Sequence, residues 1–452
     1  MTEGREVRLL ACLLALFICR AIFASAIVPP WQGPDEPTHF ALARLLAERQ
    51  LDTAVLVKLP DESFATTIER DLQRGVLMSM ARHRWWEAYG GQAPEPLPTS
   101  FRQIQRLGVG VYAQPLYYGV SAATLRITQP SSLEAEYLHL RVLGVVLSVV
   151  ALSFGWAGTR LLFGPTVAVG ATAIGALHPQ FLLTAMSVNP DALLNVWGAF
   201  MWWQVARLTR GHRLAMSLVL LLIAAAAAVL TKRNGAPLVV VAAVAVGVTL
   251  CSHRTARVSR RTVFLALVVL GISGGVLAAG WQVFERPFTD LGLFWRNALG
   301  IRRSLAQATL SQALEYIRIS IDYVWLIGGW LRYPAPEPWL WVVRVLTIAG
   351  LGSAAMLLRS PSLRQPLAIA WLFVIAQAAI VVGVSFLTLS SPQGRYLFPV
   401  IAPATALLWL GLTHTTPARF RPYAAPVLIS ILAVLDVTGF TTVLIPVYLP
   451  WG

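Results

Sequence analysis

Apolar residues fall in long runs broken by short polar stretches. Runs long enough to cross a hydrocarbon core about 30 Å thick, a task for about 17–25 residues, lie at residues 8–28, 138–160, 165–184, 191–207, 213–231, 236–252, 262–282, 339–358, 366–387, 397–414 and 423–447. They predict an all-α polytopic integral membrane protein of about 11 transmembrane helices. An odd count puts the two termini on opposite sides. Arg5 and Arg8 precede the first run and place the N-terminus inside, with the first helix read as uncleaved despite the small residues Ala24-Ser25-Ala26.

Two polar stretches are long enough to hold structure outside the membrane. Residues 29–137 form a first extracytoplasmic loop, and residues 283–338 a second. In the first, Glu36 to Gln50 has a spacing of Phe40, Leu42, Leu45 and Leu46 among charged residues that suits a helix along the interface. Val111 to Ile127 is a second apolar piece. Counted as a span it would invert every later loop, so it is read as juxtamembrane or partly inserted. The Trp- and Tyr-rich piece Ile317 to Leu331 is similar, with aromatics suited to the headgroup level. No repeat, P-loop or GxGxxG fingerprint interrupts this pattern, so nothing points to nucleotide hydrolysis or dinucleotide binding.

Composition agrees. The 452 residues are 56% hydrophobic and 13% charged, with a mean hydropathy of +0.64, whereas soluble domains carry about 25% charged residues. The net charge of +15 resides largely in arginines between apolar runs. Clusters such as Arg254, Arg257, Arg260 and Arg261 follow the positive-inside rule, with anionic lipid contact as a second role. No aromatic-basic platform accompanies them, which argues against nucleic acid. Cys12, Cys19 and Cys251 lie in or at the end of predicted spans and read as apolar packing residues.

Four polar sets fall on the outside face, where charges against a bilayer need a partner or a task. Asp35, Glu36 and His39 follow the first span. Capping of the next helix accounts for one carboxylate, but not for two and an imidazole. Ser187-Val188-Asn189-Pro190-Asp191 is a tight turn, in which Asp191 either caps the following helix or joins the acidic site. Lys232 and Arg233 stand outside against the orientation rule, as an anion site or as a snorkelling pair. Arg395, beside Tyr396, offers a planar fork for phosphate or carboxylate, or else an interface anchor. His178, at the outer end of the third span, reads as a core histidine. Together, a carboxylate can take the proton of an attacking hydroxyl while cations stabilise a departing phosphate.

At these residues the sequence resembles known membrane enzymes. Asp-Glu after the first helix is similar to the signature of GT-C glycosyltransferases, the superfamily of protein O-mannosyltransferases and the lipid A aminoarabinose transferase. Pro34-Asp35-Glu36-Pro37-Thr38-His39-Phe40 more closely resembles an uncharacterised family of bacterial polytopic membrane proteins with a PDEPxHF signature (DUF2142-type). Gln114-Pro115-Leu116-Tyr117-Tyr118, Arg160-Leu161-Leu162-Phe163-Gly164, Asn189-Pro190-Asp191, Leu230-Thr231-Lys232 and Gly394-Arg395-Tyr396-Leu397 follow in the family-like order.

The resemblance implies a GT-C-like bundle and transfer from a polyprenyl-phosphate sugar to a lipid-linked glycan or protein acceptor, on the non-cytoplasmic face of a bacterial inner membrane. By similarity, Asp35 is the general base or a metal-linked acid, and Glu36 and Asp191 support it. Lys232 and Arg395 hold the lipid phosphate, and His39, Tyr117, Asn189, Arg233 and Tyr396 complete substrate binding. A divalent cation, Mg2+ or Mn2+, bridging Asp35 and Asp191 stays open. Two rival readings have other discriminators. A transporter or flippase of a lipid-linked glycan places its ionisable residues at mid-membrane, whereas here they lie at span ends. A non-catalytic partner of an envelope-assembly complex would use the acidic loop for docking and be indifferent to loss of Asp35.

Overall fold

A computed structural model describes residues 3–48, 67–87, 91–104, 114–252, 309–329, 331–388, 393–414 and 416–449. The first helix, α1 (Glu3–Ile27), leads into a short turn and α2 (Glu36–Glu48). Then come α3 (Thr67–Arg82), α4 (Pro115–Thr128), α5 (Leu133–Phe163), α6 (Pro165–Leu177), α7 (Pro179–Ala185), α8 (Asp191–Thr209), α9 (Leu214–Thr231) and α10 (Ala236–Ser252). The C-terminal part holds α11 (Leu310–Trp325), α12 (Glu337–Met356), α13 (Pro361–Thr388), α14 (Ile401–His414) and α15 (Arg421–Gly439), the last continued through a π-turn. Between α11 and α12 a two-residue hairpin pairs Ile327–Gly328 with Tyr333–Pro334.

Local chemistry sets several helix starts. Prolines open α4, α6 and α7, where a missing N–H costs nothing. Ser132 caps α5 by accepting from Ala135 N at 3.2 Å, and Thr309 with Gln312 forms a capping box on α11.

Among the described residues, seven helices are long and apolar enough to cross a membrane, or eight if a bent pair counts as one span. The chain is therefore a multi-pass membrane protein, though the expected number of eleven is not reproduced. The helices predicted at 191–207 and 236–252 form as α8 and α10 but fall short of that test. The span predicted at 262–282 and the Arg254–Arg261 cluster lie outside the described residues. The run at 165–184 is not one straight span. It bends by 68° between α6 and α7, because Pro179 cannot continue α6 and His178 caps α7, its Nδ1 accepting from Phe181 N.

Two further expectations change. The helix expected along the interface, α2, is buried at ten of its thirteen positions. It packs under α3, α4 and α5 in a second hydrophobic cluster with Trp31, Phe40, Leu46, Tyr117 and Tyr137. Cys12 and Cys19, expected to pack, face outward from α1, alongside the exposed Ile22 and Phe23.

Helices α5 and α8 run against each other as the frame, and α6 and α14 pack beside them. Small residues permit the closest approaches. A Cβ on Gly198 would meet the Pro399 carbonyl oxygen at 1.9 Å, and one on Gly394 would meet Val324 N at 2.1 Å. Both contacts fix the turn Gly394–Val400 against α8 and α11. Arg20, the charge interrupting the first span, donates to Asp436 Oδ2 at 2.7 Å and to the Ala176 carbonyl. It thus ties α1 and α15 to the C-terminal end of α6 at the bend.

Candidate active site

The site grows from the turn between α1 and α2. Asp35 has φ 64° and Trp31 φ 72°, both in the left-handed region that Asp enters more readily than bulky residues. The neighbouring carboxylate holds this turn. Glu36 is fully buried, and its Oε2 accepts from Gly33 N at 2.6 Å. Its Oε1 accepts from Tyr137 Oη and from Val188 N, each at 2.8 Å, and lies 3.8 Å from Arg141 Nε. Glu36 therefore clamps the turn to α5 and to the 187–191 loop. The Asp35 carboxylate, so held, points at Arg395.

The second arm is the loop before α8. Asn189 donates to the Thr184 and Ser187 carbonyls at 3.0 and 3.1 Å and accepts from Asp191 N at 2.8 Å. Asn189 thereby takes the capping role expected of Asp191 and leaves the Asp191 carboxylate for tertiary contacts. Lys232 Nζ lies 2.5 Å from Asp191 Oδ1, and Arg395 Nε lies 3.5 Å from Oδ2. Lys232, expected to stand outside against the orientation rule, pairs with a buried acid.

Arg395 joins the two arms. Only 4% of its side chain is exposed. Its Nη2 donates to Asp35 Oδ2 at 3.1 Å, Nη1 to the Pro34 carbonyl at 3.4 Å and Nε to Gln393 Oε1 at 2.8 Å. The Tyr396 ring packs against both cations, 4.5 Å from Lys232 Nζ and 5.3 Å from Arg395 Cζ. Asp35 is the accessible member, with 38% of its side chain exposed.

His39, one turn into α2, places Nδ1 2.7 Å from Tyr118 Oη. Burial lowers its pKa to about 4 against the pull of Asp35, and Lys232 and Arg395 add to the lowering, so the imidazole is neutral at pH 7. Burial also raises the Tyr117 and Tyr118 hydroxyls above their ordinary range, leaving both as neutral donors. Tyr117 contacts the Asn189 backbone.

The structure therefore brings Asp35, His39, Asp191, Lys232, Arg395 and Tyr396 together from four separate stretches. Glu36, Tyr117 and Asn189 stand behind them as buried supports. The Arg233 side chain lies outside what is described. Sequence reading missed Tyr137 and Arg141, the braces of Glu36. Arg141 had a signal, as a cation within an apolar run, where ionisable residues have partners.

A metal bridging Asp35 and Asp191 would have to stand where the Arg395 guanidinium lies. Asp191 Oδ1 pairs with Lys232, and Asp191 Oδ2, which accepts no hydrogen bond, lies 3.5 Å from Arg395 Nε, while the Asp35 oxygen nearest them faces the same guanidinium. Among the described residues no three His, Cys, Asp or Glu side chains are grouped to hold an ion.

Residues 17–404 match the family described as "Predicted membrane protein (DUF2142)". The chain belongs to the DUF2142 family. No curated protein matches it. Its fold is that of GT-C membrane enzymes. The apo oligosaccharyltransferase of Archaeoglobus fulgidus superposes with a TM-score of 0.52 at 14% identity, over 97% of this chain and 56% of the other. The same enzyme tethered to an acceptor peptide gives 0.51 at 14%, over 97% and 55%. ArnT from Cupriavidus metallidurans bound to undecaprenyl phosphate gives 0.50 at 15%, over 99% and 77%. The DUF2142 chain thus spans little more than half the length of the oligosaccharyltransferase. At these identities the likeness is one of fold.

Proposed function

We propose that this DUF2142 protein is a glycosyltransferase that moves a sugar from a polyprenyl-phosphate donor to a lipid-linked glycan or protein acceptor at the non-cytoplasmic face of a bacterial inner membrane. The observation that carries the reading is the accessible Asp35 carboxylate 3.1 Å from the buried fork of Arg395, with Lys232 beside it on Asp191.

In this mechanism the acceptor hydroxyl attacks the anomeric carbon. A new C–O bond forms there as the bond from that carbon to the phosphate oxygen breaks, with inversion. Asp35 takes the hydroxyl proton, and the polyprenyl phosphate leaves with the bonding pair. Arg395 and Lys232 stabilise that developing charge. Asp191, buried between the two cations, holds them in place and has no free lone pair facing solvent.

Two features support a lipid carrier. An apolar cavity of about 720 Å³ opens among α11, α12, α13 and α14, lined by Ile321, Val324, Trp371, Val374, Leu397 and Phe398. Leu397 and Phe398 belong to the turn that carries Arg395, so a prenyl chain in the cavity would bring its phosphate towards the cations. The neighbouring GT-C folds also include ArnT, solved with undecaprenyl phosphate.

The test is transfer of labelled sugar from polyprenyl-phosphate donors in membranes carrying wild-type or Asp35→Asn protein at equal expression. Turnover by wild type and loss of at least about 10²-fold in the variant is expected for a general base. Equal turnover in both would remove Asp35 from the chemistry. Lipid movement across vesicles without donor cleavage would favour a flippase.

A further inference from the structure

We infer that this site works without a divalent cation, and that the guanidinium of Arg395 occupies the place between the two carboxylates where such an ion would sit. The inference rests on the transferase reading for what the site does, but its central observation is the arrangement of charges alone.

Mg2+ and Mn2+ need several oxygen ligands, at about 2.0–2.1 Å for Mg2+, with carboxylates supplying the charge. The two acids that could bridge one are Asp35 and Asp191. Asp191 Oδ1 is 2.5 Å from Lys232 Nζ and Oδ2 is 3.5 Å from Arg395 Nε. Asp35 Oδ2 is 3.1 Å from Nη2 of the same guanidinium. Two carboxylates face two cations, so the group is already neutral. A dication between the acids would stand against a guanidinium that cannot lose its charge.

Arg395 is also not free to swing away. Its Nε is held by Gln393 Oε1 and its Nη1 by the Pro34 carbonyl. Its backbone is pinned because Gly394 lies against the Tyr323–Val324 peptide, with no room even for a methyl group. The third potential ligand is engaged at one nitrogen, since His39 Nδ1 meets the Tyr118 hydroxyl at 2.7 Å, which leaves Nε2 as its one position for a metal. The remaining acid, Glu36, spends both oxygens on Gly33, Tyr137 and Val188. The carboxylate oxygens of Asp35 and Asp191 that face one another flank the Arg395 guanidinium, so that Asp191 Oδ2, although it accepts no hydrogen bond, lies 3.5 Å from Nε and not beside an open metal position. The positive charge that a metal would bring to a departing phosphate is present as Arg395 and Lys232.

The experiment uses the full chain in nanodiscs. Binding of Mn2+ is followed by the loss of its free electron-paramagnetic-resonance signal, and thermal unfolding is measured with Mn2+, with Mg2+ and with EDTA. Expected is no saturable Mn2+ binding that depends on Asp35 and the same unfolding temperature in all three. Binding left unchanged by Asp35→Asn lies elsewhere on the surface and agrees with the inference. Saturable binding abolished by Asp35→Asn, with a Mn2+-dependent rise in unfolding temperature that disappears in that variant, overturns it. This arm needs no donor, so it stands even if no glycosyl transfer is found. Where transfer is found, EDTA-washed membranes are expected to keep their rate within about twofold. A loss of tenfold or more, restored by Mn2+ or Mg2+, would overturn the inference through activity.

Discussion

Arg395 Nη2 reaches Asp35 Oδ2 at 3.1 Å across 360 residues of sequence. The contact joins the turn after the first helix to the turn before α14, and it makes one site of four stretches that are separate along the chain. The two acids flanking this guanidinium differ sharply in exposure, 38% for Asp35 against 1% for the Asp191 side chain. Different consequences follow for each.

Asp191→Asn leaves Lys232 and Arg395 against one another without their buried counter-charge. Breaking a buried pair in this way costs about 3–5 kcal/mol, so the unfolding temperature should fall markedly. Asp35→Asn removes an accessible carboxylate and should cost less than about 1 kcal/mol, while transfer is lost. Parallel thermal unfolding and activity measurements separate the two. Equal destabilisation by both changes would contradict the assignment.

Glu36→Gln keeps shape but sets an amide NH2 where a carboxylate oxygen now accepts from either Gly33 N or Val188 N and Tyr137. One buried donor then faces another, at a cost of about 1–3 kcal/mol. The expected result is less folded protein, with activity per folded molecule falling far less than in Asp35→Asn. A loss of turnover at full stability would move Glu36 from the brace into the chemistry.

His39 links the site to pH. Its folded pKa of about 4 lies below the ordinary 6.5 because burial disfavours the charged ring. Between these values the unfolded chain binds the proton and the folded one does not. The stabilisation is complete above pH 6.5 and is lost as pH falls towards 4. The slope from this group is at most about 1.4 kcal/mol per pH unit. Denaturant unfolding of wild type and His39→Asn from pH 7 to 4.5 should give curves that converge at the acid end. Parallel curves would show that His39 titrates normally.

Arg20 and Asp436 form a buried pair inside the bundle, and Arg20 also caps the carbonyl end of α6. Removing either partner alone should cost about 3–5 kcal/mol. The double change Arg20→Met with Asp436→Leu should recover much of that loss, short of the cap on α6. A double-mutant cycle in thermal stability measures the coupling, and strict additivity would deny it.

Several of these features were legible in one dimension. Spans of membrane length follow from runs of apolar residues because bilayer thickness sets helix length. Asp35, Asp191, Lys232 and Arg395 were singled out as polar residues at the ends of apolar runs, and PDEPTHF pointed to the family. Other features were not. The 68° bend at His178 sits inside what reads as one continuous apolar run. The burial of α2 depends on α3, α4 and α5 closing over it, which periodicity in α2 does not reveal.

The sequence by itself determined that the chain is a multi-pass membrane protein and which residue types are available for chemistry. Hydropathy and charge are local quantities, and the bilayer reads them locally. The tertiary structure decided which carboxylate is free. Asp35 and Glu36 are adjacent and chemically alike, yet one is accessible and the other fully buried. That difference depends on Tyr137, Val188, Gly33 and Arg395 arriving from distant helices and turns. Only packing brings those partners to either oxygen, and a hydrogen bond acts over about 3 Å whatever the separation in sequence.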